Sequence, residues 1–198
     1  MKNTDARLHV RGESRFIDDL PEHAELLHAY VFTAPVAHAK ITRFDVSAAR
    51  VFPGVHAVLT AEDIPGENQI GGIIPDEPLL GYGHIHFQGE PLALLLAPDK
   101  ARARAAASQI VLEYEQLPAI TDPREAAARG ELIAPPRTFE LGSIDAAWGE
   151  CAHIFSGTAA SGAQEHFYLE TQSALAEPVE RGGDRKSTRL NSSHVSQS

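Results

Sequence analysis

The sequence predicts a mixed α/β (α+β) fold, and three features predict it. Short segments rich in branched and aromatic residues alternate with Ala-rich or capped segments. Leu92-Ala-Leu-Leu-Leu-Ala97 is a continuous apolar run, as a strand covered on both faces requires. Between that run and Ile110–Glu115 lies an Ala/Arg-rich stretch opened by Pro98-Asp99, which reads as a helix. This strand–helix–strand succession implies a right-handed crossover.

The elements follow in order. Leu26–Phe32 and Ala39–Phe44 are aromatic-rich and β-branched, hence strands. Asp45–Arg50 begins with capping residues and makes a short helix, closed by the Pro53-Gly54 turn. Val55–Leu59 is the next strand. Thr60-Ala-Glu-Asp63 has the spacing of a capping box, with Thr60 as cap and Asp63 at the third helical position. Residues 67–83 are crowded with Gly and Pro and form a long loop. Lys100–Gln109 is a helix and Ile110–Glu115 a strand stopped by Leu117-Pro118. Residues 123–136 read as a linker containing one helix, Arg124–Arg129. A second unit begins near Thr138, with a helix at Ser143–Trp148 and a strand at His153–Thr158. The predicted organisation is 1–121 as one domain, 122–137 as linker, 138–183 as the start of a second domain and 184–198 as a tail. With about 45 residues, the second unit is too short to bury a useful core alone.

Composition excludes several classes of function. The chain has 198 residues, is 43% hydrophobic and 22% charged, and carries a formal charge of −10. A protein so acidic does not bind nucleic acid through a basic face. No apolar stretch approaches the ~20 residues of a membrane span, and the N-terminus lacks the apolar core of a signal peptide. The single cysteine, Cys151, rules out a disulfide framework or an iron–sulfur cluster held by this chain alone, and reads as a small core residue. These features predict a cytoplasmic protein.

The tail differs in kind. Six of the fifteen residues in 184–198 are Ser or Thr, and no apolar period is present. Asp184-Arg-Lys-Ser-Thr-Arg-Leu-Asn-Ser-Ser-His194 resembles, residue for residue, the in-frame translation of a sequencing-library adapter. We read it as non-native. It carries three basic residues against one acidic, so removing it takes the formal charge from −10 to −12.

The densest chemistry lies in Gln164-Glu-His-Phe-Tyr-Leu-Glu170, which packs an amide, two carboxylates, an imidazole and a phenol after Ser161-Gly162-Ala163. So many polar groups are costly to bury unless they are paired or bind something. His166 has no second ligand at metal spacing and reads as a packing or hydrogen-bonding residue. Glu165 and Glu170 read as structural partners, and Phe167 and Tyr168 as packing beneath a site. His84-Ile-His86 places two imidazoles on one strand face, read as packing and not as a metal site. Gly71-Gly72 lacks the Gly-x-Gly-x-x-Gly spacing of a phosphate site.

Seven segments then carry a resemblance. Arg11-Gly-Glu-Ser-Arg-Phe-Ile-Asp-Asp19, Leu27-His-Ala29, Ala37-His-Ala39, Pro53-Gly-Val-His-Ala-Val58, Thr60–Gly66, Gly89-Glu-Pro91 and Val111–Pro118 occur in this order. Together they resemble the a/b hammerhead domain of the xanthine dehydrogenase and aldehyde oxidase family of molybdenum hydroxylases. The segment from 138 to 183 resembles the start of that family's molybdopterin-binding domain. The run at 164–170 is most similar to the xanthine dehydrogenase branch. The resemblance implies hydroxylation of hypoxanthine and xanthine to urate with oxygen from water. It implies a molybdopterin–molybdenum cofactor in a longer subunit, with 2Fe-2S clusters and FAD on a partner subunit. It places Gln164 beside the molybdenum, where a neutral amide offers two donors and an acceptor to an anionic centre. No residue here is implied as a metal ligand, and the family's general-base glutamate and substrate arginine lie further along a longer chain. The resemblance thus predicts an N-terminal fragment, inactive alone. A subunit hydroxylating aldehydes or other N-heterocycles, or a non-catalytic subunit-contact module, are the competing expectations.

Overall fold

The computed structural model describes residues 6–20, 23–72, 74–164, 172–179 and 183–190. Elements run in the order α1 (Ala6–Arg11), β1 (His28–Thr33), β2 (Ala39–Asp45), α2 (Ser47–Arg50), β3 (Ala57–Thr60), β4 (His84–Ile85), β5 (Pro91–Ala97) and α3 (Lys100–Ala107). They continue with β6 (Val111–Gln116), α4 (Pro123–Arg129), α5 (Ile144–Glu150), β7 (Gln172–Val179) and β8 (Gly183–Leu190). Single 3-10 turns form at Ile17–Asp19 and Ala61–Asp63. The chain divides into two units. One is His23–Arg137, and the other joins Met1–Glu22 to Thr138–Ser198.

In the unit His23–Arg137, two three-stranded sheets form, with strand orders β1-β5-β3 and β4-β2-β6, every pairing antiparallel. The expected right-handed crossover is therefore absent. β5 and β6 lie in different sheets, and α3 carries the chain from one to the other. The apolar run in β5 arises instead because β5 is the central strand of its sheet. Leu92, Ala93, Leu95 and Ala97 are all buried along it, and α3 packs on that sheet through Ala103, Ala106 and Ala107. A central antiparallel strand covered on both faces has the same residue signature as a parallel one.

Two clusters make the core. Val46, Ala49, Val58, Ala93, Leu95, Ala106 and Ala107 form one, under the helices. Ala34, Ala39, Ile85 and Leu92 form the other. Phe32 and Phe44 pack against both clusters and stack on each other with ring centroids 6.1 Å apart. These two rings join the sheets, one contributed by β1 and one by β2.

Local signals are realised closely. Thr60 and Asp63 form the expected box, in which Asp63 Oδ2 accepts from the Thr60 backbone N–H at 2.8 Å and from its hydroxyl at 2.9 Å. Asp99 caps α3 by accepting from the Arg102 N–H at 2.7 Å, and Asp122 caps α4 with Pro123 following. Gly54 turns at φ 83°, in the left-handed region that favours glycine, and a Cβ there would come 2.6 Å from Arg102 Cδ, so that side chain would have to shift.

In the other unit, α1 buries none of its residues, and the Ile17–Asp19 turn lies beside β7 and β8. β7 and β8 pair antiparallel from Gln172↔Leu190 to Val179↔Gly183. Most of β8 therefore falls in the segment read as non-native. Ladder bonds use only backbone N–H and C=O groups, so such pairing does not depend on a particular side-chain pattern. The strand expected at His153–Thr158 does not form, and residues 152–164 hold no helix or strand. No described strand lies alongside to take its backbone bonds, and an apolar pattern without a partner makes no sheet. α5 does form, capped by the Ser143 hydroxyl accepting from the Ala146 N–H at 3.4 Å.

Candidate functional site

Gln164 stands at the end of a described stretch, outside any helix or strand, and is exposed. The glycine before it has open space around it, since a Cβ on Gly162 would meet nothing within 4 Å. Glu165, His166, Phe167, Tyr168 and Glu170 lie outside the described residues. Among the described residues, no hydrogen bond to the Gln164 side chain is formed, and no group of three or more His, Cys, Asp or Glu side chains could hold a metal ion.

The other polar concentration lies in the unit His23–Arg137. His84 and His86, expected on one face, line the same cleft of about 350 Å³, together with Asp76, Glu77 and Tyr82. The loop beside them is closed by a side chain. The Asn68 amide donates to the Leu80 carbonyl at 2.7 Å and accepts from the Leu80 N–H at 3.1 Å. Beneath the cleft lies a residue whose role was not read from the sequence. Glu90 is 1% exposed. Its Oε2 accepts from the His86 backbone N–H at 2.6 Å, and its Oε1 lies 3.2 Å from His86 Nδ1. Gly81 lies against it, where a Cβ would come 2.8 Å from Glu90 Oε1. A buried carboxylate persists only with such partners. Its signal in the sequence was a lone acidic residue at the mouth of a continuous apolar strand.

Three further carboxylates are tuned, each for structural reasons. The Ser47 backbone N–H, then its hydroxyl and Arg43, hold Asp45 down at about 2. The Thr60 backbone N–H and hydroxyl, with Arg50 at 2.9 Å, hold Asp63 below the usual carboxylate range. Arg124 does the same for Asp122 through its guanidinium and its backbone N–H. These groups cap helices and carry no site.

Cys151, expected in the core, is exposed. It ends α5 with its thiol donating to the Ala147 carbonyl at 3.3 Å. The face of α5 that would have buried it is uncovered among the described residues.

Known proteins match this chain over most of its length. Residues 11–118 match the model of the aldehyde oxidase and xanthine dehydrogenase a/b hammerhead domain, and residues 126–194 that of the molybdopterin cofactor-binding domain. A xanthine dehydrogenase of Oryza sativa subsp. japonica is 35% identical over 185 residues, 92% of this chain and 14% of the relative. Aldehyde oxidase 1 of Bos taurus is 37% identical over 180 residues, 90% of this chain and 13% of the relative. Among solved structures, quinoline 2-oxidoreductase of Pseudomonas putida 86 matches with a TM-score of 0.56 at 34% identity, over 65% of this chain and 17% of that one. The chain thus spans about a seventh of the length of the curated relatives it matches.

Proposed function

Because this chain belongs to the aldehyde oxidase and xanthine dehydrogenase family, we propose that it supplies the hammerhead domain and the opening of the cofactor domain of a xanthine dehydrogenase. The reaction we assign is oxidation of hypoxanthine and xanthine to urate, with oxygen taken from water. The succession within one chain of a hammerhead match and a molybdopterin-domain match supports the molybdenum-hydroxylase part of this reading. The run Gln164–Glu170 favours the purine branch. The aldehyde oxidase and the quinoline oxidoreductase among the relatives support a second reading, a subunit acting on aldehydes or N-heterocycles.

The residues present fit a molybdenum cofactor in one respect. The exposed amide of Gln164 makes no hydrogen bond to a described residue, and the described residues offer no metal-ligand cluster. The role we assign to Gln164 is hydrogen bonding. Gln164 would donate its amide N–H to an oxygen of the cofactor or hold the substrate, without adding charge to an anionic centre. The cofactor, when bound, supplies the redox chemistry. We further propose that 2Fe-2S clusters and FAD sit on a partner subunit, and that the enzyme works in the cytoplasm.

The purified 198-residue chain is expected to hold no molybdenum and form no urate, and turnover by it would overturn this reading. Long-read resequencing of the source gene across the Gly183 and Asp184 codons decides whether the frame continues past the adapter-like string. In the enzyme encoded by a continuing frame, urate formation should exceed carboxylate formation from an aldehyde. There Gln164→Ala should lower kcat/KM for xanthine about 10–100-fold at unchanged molybdenum content. Equal activity of that variant removes Gln164 from the site.

A further inference from the structure

The cleft of about 350 Å³ above Glu90 holds polar groups that the molybdenum reading does not use. Every residue lining it lies within His23–Arg137, outside residues 126–194 that match the cofactor domain. Its amides are engaged in building its own wall. Asn68 grips the Leu80 backbone through both atoms of its amide. The Gln69 amide donates to the Gly71 carbonyl at 3.0 Å and accepts from the Gly71 N–H. His86 is held from beneath by Glu90. The side chains of Asp76, Glu77, Tyr82 and His84 differ. They line the cleft and form no hydrogen bond or ion pair with a described residue. A wall fixed by paired amides thus presents two unpaired carboxylates, a phenol and an imidazole.

We propose that this cleft binds a guanidinium group. Charge selects a cation. Asp76 and Glu77 line the cleft, no Lys or Arg does, and the Glu90 carboxylate lies beneath. An anionic ligand would meet two carboxylates and no fixed positive charge. The cation is organic, because no group of three or more His, Cys, Asp or Glu among the described residues could hold a metal ion. Tyr82, 68% exposed, supplies an aromatic face for a planar cation. Two adjacent carboxylates accept from several N–H groups at once, and a guanidinium offers five in a flat fork. An ammonium offers three on a point charge and stacks less well. Pro75 and Pro78 flank the acidic pair and give a short apolar stem something to lie against. The volume is at the small end of ligand sites, which suits such a group. The guanidinium belongs to a small molecule or to an arginine side chain of a peptide, and the two sources separate by experiment.

The test titrates the 198-residue chain with butylguanidine and reads the ring-proton resonances of His84 and His86. Both should shift with a Kd of about 0.1–1 mM. Butylurea, the neutral counterpart of the same shape, should leave them in place. The double variant Asp76→Asn, Glu77→Gln should weaken binding at least about tenfold. Tyr82→Ala should weaken it about threefold. These side chains are exposed and unpaired, so circular dichroism and Tm of the variants should match the parent chain. No shift at about 10 mM, ten times the weakest Kd expected, overturns the proposal. An equal shift with butylurea overturns it too, as does an unchanged Kd in the double variant. Displacement of butylguanidine by a lower concentration of Mg2+ or Zn2+ overturns it by making the cleft a metal site. The peptide acetyl-Gly-Arg-Gly-amide then separates the sources. Tighter binding than butylguanidine assigns the site to an arginine side chain, and equal or weaker binding assigns it to a small molecule.

Discussion

Leu95 and Phe155 are both large apolar residues, and they end in opposite environments. Leu95 is wholly buried on the central strand of a sheet, between α3 and its neighbours, whereas Phe155 is almost fully exposed. The same contrast separates His23–Arg137 from residues 138–164. The first holds two sheets whose strands satisfy each other and whose helices cover them. The second holds one seven-residue helix and, among its described residues, no strand. Apolar residues build a core only where backbone partners bring them together. The number of apolar residues in a segment does not decide its burial.

The largest test of that contrast is a pair of substitutions. Leu95→Ala should cost about 2–5 kcal/mol, because it opens a cavity in a closed cluster. Phe155→Ala should stay within about 0.5 kcal/mol in the same chain, because it removes nothing buried. Both are read as shifts in denaturant midpoint. Equal effects would show that residues 138–164 pack in solution. A second, smaller effect concerns the tie beneath the cleft. Glu90→Ala should cost about 1–3 kcal/mol by stranding the His86 N–H. It should also raise amide exchange through residues 67–83, which Glu90 holds through its contact with Gly81. Glu90→Gln, which keeps an acceptor, should recover part of the loss, and unchanged exchange in Glu90→Ala would show that the loop is held elsewhere. The smallest effect is electrostatic. Asp45 sits at about 2 in the folded chain against an ordinary 3.8. A depressed carboxylate contributes stability that is complete above its unfolded value and is lost as the pH falls through its folded value. The Tm difference between wild type and Asp45→Asn should thus be constant above pH 5 and shrink from about pH 4 to pH 2. A gap unchanged at pH 2 would mean that Ser47 and Arg43 do not hold the carboxylate.

The same division separates what was legible in the sequence from what was not. Caps were legible: Thr60 with Asp63 and Asp99 before α3 lie where their spacing put them, whereas Ser143, read as the first residue of a helix, proves to be the cap of α5. A cap forms between residues three or fewer apart, so it needs no knowledge of the rest of the fold. The buried character of Leu92–Ala97 was legible for a similar reason, since burial on both faces is written into composition. Gln164 was legible as a candidate through its neighbours in the chain.

Pairing was not legible. Nothing in Pro91–Ala97 or Val111–Gln116 says that the two strands enter different sheets, because an antiparallel central strand and a parallel one carry the same apolar run. Nor does His153–Thr158 say that it lacks a partner, or Cys151 that its helix face stays bare. The buried tie from Glu90 to His86 needed the chain to turn back at Phe87 and bring Gly81 against the carboxylate. By itself the sequence determined the local elements, their caps and the family, because those depend on near neighbours and residue order. The tertiary structure decided which strands meet, which apolar residues are covered and where a charge can be buried, because each depends on groups far apart along the chain.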